Sequence, residues 1–297
     1  MAERGAQAID PRTARRRFER AAATYAAATR LEAEIGARML ERLDYVKLAP
    51  RRILDAGAGP AREARALTAR YRAARVIALD FSLAMLRAAR EGRGTLARLG
   101  ARLLGGPSGP LAVCALLERL PLADGAVELV WSNMALHWAA DPFAVLRELR
   151  RVLAPEGLLM LSTLGPDTLR ELRAAAGEER VHRFADMHDL GDMLVAAGFS
   201  SPVMDMEMVT LRYARPQQLL EDLRASGQTL ARPDRARGLA GKGFARRLHA
   251  ALARQTRGAH FEASFEVVYG HAWKGIPRRA ADGRAIVRTA LRRHKRN

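Results

Sequence analysis

The chain has 297 residues, 49% of them hydrophobic and 28% charged, a mixture that buries a sizeable core and excludes a disordered chain. A single cysteine, Cys114, excludes an internal disulfide and a cysteine-based zinc cluster, in keeping with a reducing cytosol. The net charge of +18 is compatible with a scattered, solvated surface, a nucleic-acid ligand or an acidic protein partner, and charge alone decides among none of them.

The opening "MAERGAQAIDPRTARRRFER" is charged from Glu3 onward and lacks the apolar stretch of a secretory signal. No apolar run approaches the length of a membrane span, so a cytoplasmic protein is expected. Residues 11–45 read as one or two amphipathic helices, with Phe18, Ala22 and Tyr25 on one stripe. A strand over about 51–56 leads into a helix over 61–71, and "RVIALD" (75–80) is a second strand ending in an acid. Ser82 is a helix N-cap, and 91–110 reads as a partly helical, Gly/Pro-rich surface connection.

Strands follow at 111–116, 126–132 and 157–164. Between the last two, Asp141 caps a helix, Pro142 opens it and Pro155 stops it. "DMHDLGDMLVAAGF" is a helix closed by Gly198. Two late strands, 201–213 and 263–273, flank a helical insertion at about 216–256, and 276–297 is a basic tail, read as a short surface helix or as disordered. Alternating strands and helices predict an α/β fold, a doubly covered parallel sheet to which the late strands add an antiparallel edge. The chain divides into an N-terminal helical cap (1–45), a main domain (46–275) and the tail.

The chemistry concentrates in "ILDAGAGP", residues 53–60. In an open α/β sheet ligands sit beyond the carboxyl ends of the strands, and Gly57 and Gly59 let a ligand approach the backbone. Asp80, 23 residues after Gly57 at the end of the next strand, can accept bonds from both hydroxyls of a ribose. Arg62 stands where a dinucleotide fingerprint needs its third glycine, and no G-x-x-x-x-G-K-[ST] cradle is present. Asp55 would repel a pyrophosphate and attract a cation. A nucleoside carrying an ammonium and a sulfonium satisfies these features, which points to S-adenosylmethionine.

From about residue 50 to 165 the chain resembles the class I methyltransferases, on "ILDAGAGPA", "VIALDFS", "LERLPLADGAVELVWSNMALHW" and "LRELRRVLAPEGLLMLST". The resemblance implies a Rossmann-like, seven-stranded, mostly parallel sheet with its last strand antiparallel, helices on both faces, and a methyltransferase domain over 46–275. It also implies that Asp55, Gly57 and Gly59 line the methionine and ribose part of the donor and that Asp80 holds the ribose. Phe81 would flank the adenine, while Asn133 and Met134 would face the donor. Ala61, Leu116 and Glu128 depart from the usual pattern, standing for a frequent glycine, a frequent acid near the adenine and an aspartate.

Outside that core, "RRFERAAATYAAATRLEAEIGARMLERLDYV", "STLGPDTLRELRAA", "DMHDLGDMLVAAGFSSPVMDMEMVTLRY", "LLEDLRASGQT" and "ASFEVVYGHAW" resemble the malonyl-[acyl-carrier protein] O-methyltransferases of biotin synthesis. That family esterifies the free carboxyl of a malonyl thioester. A carboxylate with an ordinary pKa near ~4 is already ionised and needs no general base or metal. Candidates for the acceptor site are Tyr25, closing over the donor; His137 and Trp138, walling the pocket, with glutamine common at 137 in the family; and Arg170 and Arg173, gripping an anion. Arg12, Arg15, Arg16 and Arg17 are candidates for docking a strongly acidic acyl carrier protein. Whether the acyl group rides on carrier protein or on coenzyme A stays open. Three rivals also stay open: a related assembly factor of respiratory complex I that hydroxylates a protein arginine, a degenerate non-catalytic binding module, and a nucleic-acid methyltransferase that rests on charge alone.

Overall fold

The structure, a computed structural model, describes residues 9–91, 109–235, 238, 241–256 and 258–276. Most of the 91–110 connection and of the basic tail lies outside the described residues. Seven strands form one sheet: β1 (Arg52–Ala56), β2 (Arg75–Asp80), β3 (Leu111–Cys114), β4 (Val127–Ser132), β5 (Leu153–Leu164), β6 (Ser200–Tyr213) and β7 (Phe261–Trp273). Their order is β3-β2-β1-β4-β5-β7-β6. β1 to β5 pair in parallel, and β7 runs antiparallel to both β5 and β6. The antiparallel strand is therefore not the edge; it inserts one position in, and β6 takes the edge. The order reverses between β1 and β4, and that gap is where such a sheet opens a ligand crevice.

Period-two alternation sorts the strands between two apolar layers. Ile53, Leu129, Trp131, Leu158 and Met160 face one way. Leu54, Val130, Leu159 and Leu161 face the other. The first layer receives α3 (Arg30–Arg42) through Leu31, Ile35 and Met39, and α4 (Arg62–Arg70) through Ala64 and Leu67. The second receives α6 (Pro142–Val152) through Val145, Leu146 and Leu149, and α8 (Met187–Ala196) through Leu190 and Leu194. The N-terminal helices thus share the core of the sheet.

The expected caps form. Ser82 Oγ accepts the Met85 N–H at 3.3 Å at the start of α5 (Leu83–Glu91), Asp141 Oδ1 accepts the Ala144 N–H at 3.0 Å, and Gly198 takes φ +88° after α8. Pro155 does not mark the helix stop. α6 ends at Val152, and Pro155 already lies within β5. Lys274 Nζ reaches the Arg151 and Leu153 carbonyls at 3.2 and 2.6 Å, satisfying the helix end so that the chain passes straight into the strand.

The N-terminal segment breaks into α1 (Pro11–Ala21), a single turn α2 (Tyr25–Ala28), α3 and a 3-10 turn, Leu43–Tyr45. The insertion supplies α9 (Pro216–Ala225) and α10 (Lys242–Ala253). α1 is fastened to the loop between them: the Asp10 N–H donates to the Ala231 carbonyl at 2.8 Å, and Arg17 Nη1 donates to the Leu230 carbonyl. A short helix, α7 (Arg170–Ala176), follows β5. No helix among the described residues is long and apolar enough to cross a membrane.

Candidate active site

A cavity opens at the carboxyl ends of β1, β2 and β4, under α1 and α2. Its floor is the turn after β1. Gly57 sits at φ +83°, and a Cβ there would lie 2.3 Å from the Ala135 Cβ. Gly59, at φ +51°, passes beneath the Tyr25 ring. Both conformations belong to glycine, so the motif's small residues are required by the turn as well as by a ligand. Ala61 adopts the left-handed conformation as well, at φ +57°, ahead of α4; this is the position of the frequent glycine, and alanine accepts the strain.

Asp80 ends β2 at the cavity wall, 5% exposed. Its Oδ2 accepts the Gly59 N–H at 2.9 Å and its Oδ1 accepts the Ser82 N–H at 2.7 Å. Each oxygen keeps a free lone pair, so the held carboxylate can still accept two hydroxyls. Burial pushes its pKa up to about 6, against the pull of the two amides.

Asp55 is 1% exposed and lies behind the glycines, so it does not line the cavity as expected. The reason is local: Asp55 follows Ile53 by two residues, so the pleat turns it to the face covered by α3 and α4, where the Ala64 N–H reaches its carboxyl. Its Oδ2 has no hydrogen-bond partner. Burial, with Glu63 and Asp80 nearby, pushes its carboxyl well above the usual range. Glu63 and Glu32 are raised in the same way by burial. Four crowded acids, one with an orphaned oxygen, resist ionising together, and a cation placed beside them would favour their charged forms.

At the end of β4, Asn133 and Met134 both line the cavity. Ser162 of β5 fixes them: its hydroxyl donates to Asn133 Oδ1 at 2.8 Å and accepts the Met134 N–H at 3.0 Å. Asn133 Nδ2 donates to the Glu32 carbonyl at 2.8 Å, tying α3 to the sheet. Gly36 permits that approach, since a Cβ would meet Glu63 Oε1 at 2.6 Å and Asn133 Nδ2 at 3.0 Å.

The roof is aromatic and apolar. Phe18 of α1 packs edge-on against Trp138 at 4.9 Å and Phe81 at 5.7 Å, and stands 6.2 Å from Tyr25. Burial and the fields of Glu32, Asp80 and Glu63 push the Tyr25 hydroxyl well above its ordinary value, so it stays protonated. Leu116 is on the wall, and Glu118 accepts the Ala140 N–H at 3.1 Å.

The structure therefore brings Gly57, Gly59, Asp80, Phe81, Asn133, Met134, Tyr25 and Trp138 to one cavity. It does not bring His137, Arg170 or Arg173 there. His137 is 4% exposed behind Trp138, with Nδ1 3.2 Å from Thr163 Oγ1, and burial lowers its pKa to about 3, so it stays neutral. Arg170 is exposed and pairs with Glu171 at 3.2 Å. Arg173 folds back onto the preceding turn, donating to the Pro166 carbonyl at 2.7 Å and the Thr168 carbonyl at 3.3 Å. Of the α1 arginines, Arg12, Arg15 and Arg16 are exposed, Arg15 pairing with Glu19 at 3.0 Å, while Arg17 is half-buried against Leu230. Glu32, Glu63 and Ser162 were missed; Glu63 lies just past the glycine turn, and the other two carry no local signal.

A methyltransferase-domain family model matches residues 54–161, the span from β1 to β5. The malonyl-[acyl-carrier protein] O-methyltransferase of Methylovorus sp. (strain MP688) is 49% identical over 270 residues, 90% of each chain. That of Gallionella capsiferriformans (strain ES-2) is 48% identical over 288 residues, 96% of this chain and 98% of that one. The chain belongs to the malonyl-[acyl-carrier protein] O-methyltransferase family. Among solved structures, a putative methyltransferase from Bacillus halodurans C-125 superposes with a TM-score of 0.58 at 17% identity, covering 81% of this chain and 99% of that one; that likeness concerns the fold. The chain is thus a methyltransferase, with S-adenosylmethionine as its methyl donor, and the arginine-hydroxylase reading is not favoured by these relatives.

Proposed function

We propose that this protein transfers a methyl group from S-adenosylmethionine to the free carboxylate of a malonyl group carried on acyl carrier protein, an early step of biotin synthesis, in the cytoplasm. The observation that carries the reading is the Asp80 carboxylate, fixed by two backbone amides beside the Gly57–Gly59 turn. The residues fit the donor. Asp80 takes the ribose diol, and Phe81, Leu116 and Met85 give the adenine an apolar seat. The orphaned Asp55 oxygen, with Glu63 nearby, is a carboxyl that the donor's cationic end would help to ionise. Asn133 and Met134, locked by Ser162, border the place of the methionine part.

When bound, S-adenosylmethionine supplies an electrophilic methyl on a positively charged sulfur. An acceptor carboxylate oxygen forms the new C–O bond with its own electron pair as the C–S bond breaks toward sulfur, so no proton moves. The protein then contributes alignment and exclusion of water. Phe18, Tyr25 and Trp138 close the cavity for that purpose. No basic side chain is required, consistent with His137 and its buried, neutral imidazole.

For the partner, Arg12 and Arg16 are exposed on α1, the helix whose Pro11 and Phe18 line the cavity, and would attract an acidic carrier protein; nucleic acid is not the ligand in this reading. The functional division remains a helical cap, a catalytic domain with its insertion, and a basic tail. The test is methyl transfer from labelled donor to malonyl, succinyl and acetyl thioesters on carrier protein. Label is expected in the malonyl ester, and equal labelling of the acetyl thioester, which has no free carboxyl, would refute the reading.

A further inference from the structure

Behind Trp138 lies a second cavity, and Trp138 is the one described residue that borders both. Its wall is apolar: Leu164 and Phe265 from the sheet, Leu172 from α7, Leu223 from α9, and Phe244 and Leu248 from α10. Three basic side chains, beside the amide of Gln228, interrupt it. His182, 9% exposed, stands edge-on to Trp138 at 5.1 Å. Arg180 lies over the Phe244 ring at 4.1 Å, with Glu179 3.8 Å away. Arg224 is exposed on α9 and has no ion pair or side-chain hydrogen bond among the described residues.

The His182 tautomer follows from its neighbours. Nε2 lies 3.1 Å from the Ala231 N–H, which can only donate, so Nε2 accepts and the ring proton sits on Nδ1. The Thr229 carbonyl, 3.4 Å from the same nitrogen, is the longer contact, and giving it the proton would leave the Ala231 amide unpaired. Burial, with Arg17 and Arg232 nearby, lowers the pKa to about 4, so the ring is neutral near pH 7. Nδ1–H then has no protein acceptor among the described residues.

We propose that this second cavity is the acceptor chamber, resting on the carboxyl methylation proposed above. The acyl-thioester arm lies along its apolar wall. His182 Nδ1–H, beside the Trp138 partition, donates to the acyl group's reacting end, and Arg180 and Arg224 at the solvent side hold the phosphate at the arm's far end. This division of labour has a chemical reason. A neutral donor orients the attacking carboxylate without neutralising it, whereas a full cation there would damp its nucleophilicity. A phosphate that takes no part in bond making is suited to arginine. His182 and the two arginines are positioning residues.

The test uses the full-length protein and two probes: malonyl coenzyme A, which carries the arm and its phosphate, and malonyl-N-acetylcysteamine, which lacks both the phosphate and most of the arm. Leu248→Trp fills the chamber and is expected to weaken malonyl coenzyme A binding, measured by calorimetry with S-adenosylhomocysteine present, by about ten-fold or more. Unchanged S-adenosylhomocysteine affinity shows that the variant is folded. In Arg180→Ala/Arg224→Ala, the ratio of kcat/KM for malonyl coenzyme A to that for the short thioester is expected to fall by about ten-fold, through KM. His182→Phe raises KM for both probes, and His182→Asn, which keeps a donor near the Nδ1 position, recovers part of the loss. Wild-type binding of malonyl coenzyme A by Leu248→Trp, or an unchanged probe ratio in the arginine variant, overturns the chamber while the methyl transfer stands. Chamber-dependent binding without methyl transfer in the wild type supports the chamber and refutes the reaction.

Discussion

The two cavities that meet at Trp138 are built in different ways. The donor cavity is made at the ends of adjacent parallel strands, and its decisive groups are backbone amides, bare Cα positions and a carboxylate held by two N–H groups. The second cavity is assembled from the β5 end, α7, the loop around His182, α9 and α10, segments far apart in sequence, and its lining is mostly apolar residues. The donor side needs fixed geometry for one small cation. The acceptor side needs length and apolar surface, which many side-chain sets supply. Substitutions should therefore act sharply on the first cavity and in graded fashion on the second.

The largest expected effect tests the rigidity of the donor floor. Gly57→Ala places a methyl 2.3 Å from the Ala135 Cβ in a left-handed conformation. The backbone strain alone costs about 1–3 kcal/mol, and relieving the clash displaces the turn that holds Asp80. Donor binding by calorimetry should become undetectable while the chain still folds; ordinary affinity would break the comparison.

Asp80→Asn comes next, with a loss of about ten- to a hundred-fold in donor affinity from weakening hydrogen bonds to a charged acceptor. Its pH dependence is sharper still. The folded pKa, about 6, lies above the ordinary 3.8 because burial disfavours the charge. The protonated carboxyl therefore stabilises the ligand-free fold at and below the lower value, and that contribution disappears as pH rises through the upper one. Donor affinity runs the other way, since the ribose hydroxyls bind the ionised form and affinity falls as pH drops below about 6. Asp55, Glu63 and Glu32 add to the stability trend in the same direction. Asp80→Asn should reduce the pH dependence of thermal stability and flatten that of donor binding over this window; parallel trends in the wild type would refute the assignment.

These positions explain what the sequence reveals and what it hides. The β1 turn and Asp80 are legible because one supersecondary unit spans them, and the strand ends fix their separation regardless of what packs elsewhere. The seven strands are legible from local alternation, whereas their spatial order, with β7 between β5 and β6, is set by pairing between distant segments. His182, Glu32 and Ser162 are illegible because their roles arise from contacts across the fold: His182 with Ala231, Ser162 with Asn133. Arg170 and Arg173 mislead for a related reason. In a chain with 50 Lys and Arg, an arginine after a strand end carries little information. The left-handed turn at Leu169 starts α7, and Arg173 folds back onto the carbonyls of the segment before it.

A smaller and graded effect is expected at the rim. Arg12→Glu/Arg16→Glu should raise KM for the malonyl carrier protein about ten-fold at low ionic strength and little at high salt, because exposed charges act over about 10 Å and are screened beyond it. The short thioester should be indifferent to the change. An equal effect on both acceptors would place these arginines at the reaction and not at a docking face.

The smallest effect belongs to Arg170. Its side chain is 61% exposed and its one ion pair among the described residues is with Glu171. Glu171 has other partners, accepting the Ser264 N–H at 3.0 Å and the Ser264 hydroxyl at 2.6 Å. Removing the guanidinium therefore strands no buried charge, and an exposed pair is worth about 0–1 kcal/mol. The nearby groove contains Glu171 and Glu262 as well as Arg254, a mixed surface with no preference for an anion. Arg170→Ala should leave KM for malonyl carrier protein within about two-fold of wild type, with a melting temperature nearly unchanged. A large rise in KM would mean that the acyl arm crosses this groove and that the chamber behind Trp138 is the wrong side of the molecule.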